Sequence, residues 1–134
     1  MYYLHKDFRF EAAHQLVQHD GKCARMHGHS FRGTLIVAGP ALKTTGPKTG
    51  MLIDYGDLSV ALQPILEHNL DHHCLNQTLP VYPTSENIAR WVYEALVVPL
   101  PALVGVTIEE TCTARCTYFP EFDDEVVRLA EEAA

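Results

Sequence analysis

Two stretches near the start of the chain alternate between apolar and polar positions, which is the pattern of a half-buried β-strand. The first stretch is residues 2–14, and the second is residues 29–38, which ends at Gly39 and Pro40. The apolar parity of these stretches carries Phe8, Phe10, Ala12, His14, Phe31, Leu35 and Val37, and His27 and His29 continue the parity of the second one. We expect the two strands to pair, with these side chains turned toward the interior.

The pattern changes to helical spacing in the middle of the chain. An apolar stripe begins after Asp57, and Pro64 is expected to kink this first helix or to lengthen its first turns. Thr84 can cap a second helix, which Pro99 and Pro101 bring to an end. The stripe of the second helix consists of Ile88, Trp91, Val92, Ala95 and Leu96.

Two more alternating runs, at residues 104–108 and 115–119, predict the last two strands. The resulting order is β-β-α-α-β-β. It predicts an α+β fold in which an antiparallel four-stranded sheet carries two helices on one face.

The length of 134 residues and the composition, 47% hydrophobic and 20% charged, fit one globular domain. Six acidic residues and one basic residue lie in residues 121–134, so this segment holds most of the net charge of −7. We therefore expect a folded domain at residues 1–120 and an acidic tail at 121–134. The tail either forms a short helix on a neighbouring subunit or frays, and fraying is favoured because short isolated helices are marginal.

Charge and hydropathy also bear on partners and compartment. Residues 1–120 have a net charge of only −2 and no basic stripe, so nucleic acid is not an expected partner. No apolar run approaches the roughly 20 residues of a membrane span. The start of the chain lacks a signal-peptide pattern, which predicts a cytoplasmic protein with reduced cysteines.

All eight histidines fall in the first 73 residues. His14, His27 and His29 share the inward parity of the first two strands, so three imidazoles can converge. A catalytic zinc site uses three protein ligands and leaves a fourth position free, whereas a structural site would add paired cysteines, which are missing here. The alternative is that the three are ordinary core or surface histidines.

Three further features carry possible chemistry. Cys23 lies between Lys22 and Arg25, and nearby positive charge favours the thiolate, although a small buried hydrophobe is the alternative. Asp71 beside His72 can form a proton relay, or else a solvated loop pair. Glu110 shares the parity of the apolar residues in its strand. It can accept two hydrogen bonds from an amidine-like group on a ligand, such as that of a pterin or a guanine, or else form a salt bridge or reach solvent.

Five sequence strings, in this order, resemble the 6-carboxytetrahydropterin synthases of the queuosine pathway, which belong with the 6-pyruvoyltetrahydropterin synthases. They are FEAAH at 10–14, C-x3-HGHSF at 23–31, LDHHCLN at 70–76, PTSE at 83–86 and ETCTARC at 110–116. The likeness extends over about residues 3–120.

The resemblance implies the tunnelling fold, in which β-β-α-α-β-β subunits join into a homo-oligomer, typically a hexamer, with active sites between subunits. It implies that His14, His27 and His29 hold Zn²⁺, that Cys23 abstracts a proton, that Asp71 and His72 form the relay and that Glu110 anchors the pterin. The implied substrate is 7,8-dihydroneopterin triphosphate. The implied products are 6-carboxy-5,6,7,8-tetrahydropterin, acetaldehyde and triphosphate, and Lys22 and Arg25 are candidates to meet the triphosphate.

Two alternatives stay open. Within the enzyme class, the chain could be a 6-pyruvoyltetrahydropterin synthase or an enzyme that cleaves sepiapterin-like side chains; the short C-x3-HGHSF spacing resembles the carboxy branch. From another class, it could be a non-catalytic module that binds zinc or a pterin. The presence of Cys23, Asp71, His72 and Glu110 together favours the enzyme.

Overall fold

In the computed structural model, which describes residues 1–120 and 132–133, the chain begins with two long antiparallel strands. β1 (Tyr2–His14) and β2 (His27–Gly39) pair along their whole length. Their alternating residues face one side, where Phe10 and Phe31 are buried with their rings stacked 4.8 Å apart. The pairing predicted from the alternation is therefore confirmed.

The sheet has five strands in the order β3-β1-β2-β4-β5, so the prediction of a four-stranded antiparallel sheet was wrong in number. β4 (Leu103–Thr111) and β5 (Ala114–Tyr118) continue it antiparallel beside β2. The extra strand, β3 (His73–Cys74), pairs parallel with β1. A strand of two residues is too short to show an alternating pattern, which is why β3 was not predicted.

Three helices lie between β2 and β4. α1 (Tyr55–Ile65) is capped by the Asp54 side chain, and Pro64 stands one residue before its end. Proline cannot donate a helical hydrogen bond, and the helix continues as a π-helical turn over Leu66–Leu70 instead of a simple kink. A short helix, α2 (Leu75–Thr78), follows; the predicted order with two helices lacked it, because four residues are too few to show a helical period. The helix α3 (Ser85–Leu96) starts at the predicted cap, Thr84.

The core lies between the sheet and the helices. Leu58 and Leu62 of α1 and Ile88 and Val92 of α3 pack with Phe10 on the same face of the sheet. The predicted α+β class, with helices on one face, is confirmed. Within the described ranges, no helix is both long and apolar enough to cross a membrane. The proposed acidic tail falls mostly outside the described residues, so the division at residue 120 stays a prediction.

Candidate metal centre and active site

Three histidine rings meet where the first two strands come together at one end of the sheet. His14 is the last residue of β1 and pairs in register with His27, the first residue of β2. His29 follows two positions later on the same face. The ring centroids are 4.5 Å apart for His14 and His27, 5.1 Å for His14 and His29, and 4.9 Å for His27 and His29. One nitrogen from each ring lies within 4.8 Å of the other two.

Backbone carbonyls fix the orientation of two of these rings. The Nδ1 atom of His14 lies 2.8 Å from the carbonyl oxygen of Pro83, and Nδ1 of His27 lies 2.7 Å from that of Arg25. A carbonyl oxygen can only accept, so each Nδ1 carries a proton and donates it. In the neutral ring, the lone pair is then on Nε2. Histidines that bind metals are held in this way by their second nitrogen.

The buried nitrogens of the cluster lack partners. Nε2 of His14 and Nε2 of His29 are both buried without a hydrogen-bond partner in the described part of the chain. An unsatisfied buried polar atom is costly, and a cation would satisfy both. Burial lowers the pKa of His29, which favours the neutral ring that a metal requires. The residues present therefore fit a divalent metal with imidazole ligands, and zinc is one that this set suits.

Glu110 is an acidic group beside the cluster. Its Oε1 lies 3.8 Å from Nε2 of His14, and 28% of its side chain is exposed. The neighbouring Glu109 turns to the opposite face of the sheet, where it meets Arg32 at 3.4 Å and Arg115 at 3.5 Å. The pairing of β4 with β5 shifts register between Glu109 and Thr111, and both carboxylates border one cavity.

A cavity of about 440 Å³ lies beside Glu110. Arg9 and Arg32, which face each other in register on β1 and β2, contribute positive charge to its lining. The sequence did not single out these arginines as functional residues. Its only signal was that both stand at polar positions of the alternating strands. Lys22 and Arg25, the two candidates to meet the triphosphate, lie in the loop between β1 and β2.

Asp71 and His72 lie along the outer edge of β1. Both contact the backbone of Glu11, which precedes His14 on that strand. Nδ1 of His72 is 3.0 Å from Oδ2 of Asp71, and Oδ1 of Asp71 accepts a hydrogen bond from the backbone N–H of Glu11 at 2.9 Å. The Glu11 N–H, followed by His72, lowers the pKa of Asp71. His72 has a positive φ of 59° and a side chain that is 79% exposed. A cavity of about 540 Å³ borders both His72 and His29.

Cys23 lies in a 3₁₀ turn, Lys22–Ala24, after β1. Its carbonyl oxygen accepts a hydrogen bond from Leu16, and its thiol is free and partly buried. Among the described residues, the group of possible metal ligands contains the three histidines and not Cys23. The structure thus brings His14, His27, His29 and Glu110 together within one chain. The roles predicted for them and for Cys23, Asp71 and His72 stay predictions.

Comparison with known proteins agrees with the fold and the motifs. The family profile described as 6-pyruvoyl tetrahydropterin synthase matches residues 3–121. A 6-carboxy-5,6,7,8-tetrahydropterin synthase of Synechocystis is 49% identical over 121 residues, which cover 89% of this chain and 94% of the relative. The enzyme of that name from Haemophilus influenzae is 29% identical over 140 residues, covering 88% and 99%.

A solved structure, the 6-pyruvoyl tetrahydropterin synthase of Caenorhabditis elegans, superposes with a TM-score of 0.75 at 28% identity, over 90% of this chain and 96% of that one. These matches confirm the family predicted from the five strings, the tunnelling fold and the expectation of an enzyme. The chain belongs to the 6-pyruvoyl tetrahydropterin synthase family.

Proposed function

We propose that the protein is a zinc-dependent carbon–carbon lyase of queuosine biosynthesis. In this proposal it converts 7,8-dihydroneopterin triphosphate and water into 6-carboxy-5,6,7,8-tetrahydropterin, acetaldehyde and triphosphate. The observation that carries the proposal is the pair of unpartnered Nε2 atoms, on His14 and His29, beside the carboxylate of Glu110. The names of the Synechocystis and Haemophilus relatives support the choice of product. We assign the reaction to the cytoplasm, where thiols stay reduced, as all four cysteines are here.

Zinc held by the three imidazoles would supply Lewis-acid chemistry, polarising the hydroxyls of the substrate side chain. The protein's part is to present the ligands in the correct form. The carbonyls of Pro83 and Arg25 hold the rings of His14 and His27 with Nε2 free. Buried Phe31 packs edge-on against His14 and His29, which keeps these two rings in position.

Glu110 binds the pterin in this proposal. A carboxylate can accept two parallel hydrogen bonds from the ring N–H and the amino group of a pterin, and this fixes the ring in one orientation. Since Glu110 lies 3.8 Å from His14, a pterin held there would lie next to the histidine cluster.

Proton transfer falls to Cys23 and His72. The thiolate of Cys23 removes a proton from the substrate side chain. The nearby positive charges of Lys22 and Arg25 favour this ionised form of the thiol. Asp71 holds Nδ1 of His72, so Nε2 of that ring is free to give or take a proton at the solvent side. Because its pKa is lowered, Asp71 stays charged and stabilises the imidazolium of His72.

We further propose that the enzyme is a homo-oligomer, a hexamer by family resemblance, with active sites between subunits. Two features support it. The outer edges of β3 and β5 end the sheet of a single chain, and open edges pair readily with other strands. His72 is largely exposed in the single chain, so a second copy can pack against it and complete a site there.

The second candidate is a 6-pyruvoyl tetrahydropterin synthase, which the fold of the Caenorhabditis enzyme favours. Its product keeps all the side-chain carbons of the pterin and loses only triphosphate, so no acetaldehyde is released. The higher identity to the carboxy relative and the C-x3-HGHSF spacing at Cys23 favour the first candidate.

Incubating the zinc-loaded protein with 7,8-dihydroneopterin triphosphate tests the proposal. The expected result is a carboxylated tetrahydropterin by mass spectrometry together with an equal amount of acetaldehyde. A pyruvoyl pterin without acetaldehyde would support the second candidate. Stoichiometric zinc without consumption of the substrate would contradict both and favour a binding module.

Two cysteine variants test the catalytic role proposed for Cys23. We expect Cys23→Ala to keep zinc and pterin binding and to lower kcat at least about 100-fold, since a positioned proton acceptor contributes that much or more. Cys116→Ala is the matched control, because burial raises the pKa of the Cys116 thiol and leaves it less ionised. Equal loss of turnover in the two variants would remove Cys23 from the mechanism.

A further inference from the structure

We infer that Asn76 and Gln15 are positioning residues, which together fix the turn that carries Cys23 against the end of β1. The inference rests on the proposed function in one respect, because it takes the role of Cys23 as proton acceptor from that proposal. It extends that role to two residues outside the groups to which a function has been assigned.

The side-chain amide of Asn76 binds both polar groups of the Gln15 backbone. Its Oδ1 accepts the Gln15 N–H at 2.7 Å, and its Nδ2 donates to the Gln15 carbonyl oxygen at 2.7 Å. A backbone N–H can only donate and a carbonyl oxygen can only accept, so the amide has one possible orientation. Gln15 is the first residue after β1. The two bonds therefore fix the direction in which the chain leaves the sheet.

The segment that carries Asn76 is itself attached to β1. Two hydrogen bonds, at 2.9 Å and 2.6 Å, join Asp71 and His72 to the backbone of Glu11. The two residues of β3 then pair in parallel with β1. The contacts of Asn76 continue this attachment beyond the last residue of β1, where the strand pairing has ended. Asn76 thus holds Gln15 from a segment that is already fixed to the sheet.

Gln15 extends this constraint to the turn of Cys23. Its Nε2 donates to the carbonyl oxygen of Ala24 at 2.8 Å, and the N–H of Leu16 donates to the carbonyl oxygen of Cys23 at 2.9 Å. Two consecutive carbonyls of the turn are therefore bound to two consecutive residues. None of the residues Lys22–Ala24 is fully buried, so packing in the core contributes little to the position of this turn. Its hydrogen bonds to Gln15 and Leu16 take that part.

The position of Cys23 matters because a base must reach the proton that it removes. Proton transfer requires a hydrogen-bond distance, and a misplacement of about 1 Å can lower a rate about 100-fold. Surface loops move more than the strands they connect, and Cys23 lies in the loop between β1 and β2. Since Asn76 follows Asp71 and His72 in the same segment, that segment positions both groups to which we assign proton transfer.

Hydrogen exchange of the full-length protein tests whether Asn76 holds the turn. We compare the wild type with Asn76→Ala, which removes both bonds to the Gln15 backbone. Gln15→Met, which keeps a side chain of similar length without the amide, is the second variant. We expect the Leu16 amide to exchange at least about tenfold faster in both variants, since the turn that holds its acceptor is released. Mass spectrometry of peptic peptides from this loop measures the rates.

Asn69→Ala is the matched control. Asn69 donates a hydrogen bond to the carbonyl oxygen of Thr78 at 3.2 Å, at the end of the short helix that carries Asn76. This variant loses one side-chain hydrogen bond of the same segment but keeps both contacts with Gln15, so exchange at Leu16 should equal that of the wild type. Unchanged exchange in Asn76→Ala and Gln15→Met, or equal acceleration in Asn69→Ala, would overturn the inference.

Turnover shows whether the turn acts through Cys23. We expect Asn76→Ala to lower kcat about tenfold, while the KM for 7,8-dihydroneopterin triphosphate and the zinc content change less than about twofold. In a Cys23→Ala background, the same substitution should leave the residual rate unchanged, because residues that act through one group are not additive.

An equal loss of rate in both backgrounds would overturn the role for Cys23. It would mean that Asn76 acts through another group, such as His14, which precedes Gln15 in the chain. If the wild type does not consume the substrate, the proposed function fails. The exchange rates still decide in that case whether Asn76 and Gln15 hold the turn.

Discussion

The side chain of His14 connects the end of β1 to the start of α3, since its Nδ1 lies 2.8 Å from the carbonyl oxygen of Pro83, 69 residues further along the chain. The next residue, Thr84, is the N-cap of α3, and its hydroxyl accepts a hydrogen bond from the backbone N–H of Asn87 at 3.3 Å. The acceptor that orients His14 is therefore held in place by the start of a helix. The two are separate in sequence and adjacent in the fold.

Replacing Thr84 by alanine should weaken both features. Loss of the cap costs roughly 1 kcal/mol of unfolding free energy, as is typical for a threonine N-cap. It also frees the Pro83 carbonyl to shift, so we expect lower zinc affinity and a change in the ¹⁵N resonances of the His14 ring. Urea unfolding of the metal-free protein, chelator competition and ring ¹⁵N spectroscopy measure these effects.

Thr84→Ser is the control, because serine keeps the hydroxyl that caps the helix. It should leave zinc affinity and the His14 resonances as in the wild type. A Thr84→Ala protein that loses stability but binds zinc unchanged would show that the orientation of His14 does not depend on the start of α3.

Two glycines of β2 differ in the space around them. A Cβ at Gly33 would stand 2.0 Å from Cζ of Phe8, whereas the nearest atom to a Cβ at Gly28 is the Ala12 carbonyl oxygen at 3.5 Å. We expect Gly33→Ala to lower the unfolding free energy by about 1–3 kcal/mol, because the buried Phe8 ring must move. Gly28→Ala should change it by less than about 0.5 kcal/mol, even though Gly28 lies between two of the clustered histidines. Urea unfolding of the metal-free proteins compares them, and equal losses would contradict the steric explanation.

Much of the fold could be predicted because long elements repeat their pattern. The alternation through Phe8, Phe10 and Ala12 identified β1, and the Thr84 cap identified the start of α3. The strand β3 and the π-helical turn before Asp71 could not be predicted, since the first has only two residues and the second depends on backbone hydrogen bonds that any side chain permits.

The candidate site divides in a similar way. The alternating pattern of the two paired strands was enough to predict that His14, His27 and His29 share one face, because the alternation fixes the register of the strands. The carbonyls of Pro83 and Arg25 that orient two of the rings leave no signal, since every residue has a carbonyl. The separation of Glu110 from Glu109 was visible in their parity, but the distance to His14 required the structure.

Asp71 makes the stability of the segment before β3 depend on pH. The backbone N–H of Glu11, followed by the ring of His72, lowers the pKa of Asp71 below its ordinary 3.8. A carboxyl group whose pKa is lower in the folded state stabilises the fold at pH values above its unfolded pKa, and this contribution is lost as the pH falls through the folded pKa. The relevant window therefore lies below about pH 4.

We expect Asp71→Asn, which keeps an oxygen facing the Glu11 N–H but lacks the charge, to be less stable than the wild type at about pH 7. The difference should persist down to about pH 5 and close below about pH 4, where the wild-type carboxyl group becomes protonated. Urea unfolding of both proteins across this range measures the difference, and Asp20→Asn, at a fully exposed carboxylate, supplies the control. Because Asp71 is itself 41% exposed, solvent screening keeps the difference small. A difference that stays constant through the acid range would mean that the charge of Asp71 does not hold this segment on β1, and that the hydrogen bond from Glu11 is sufficient by itself.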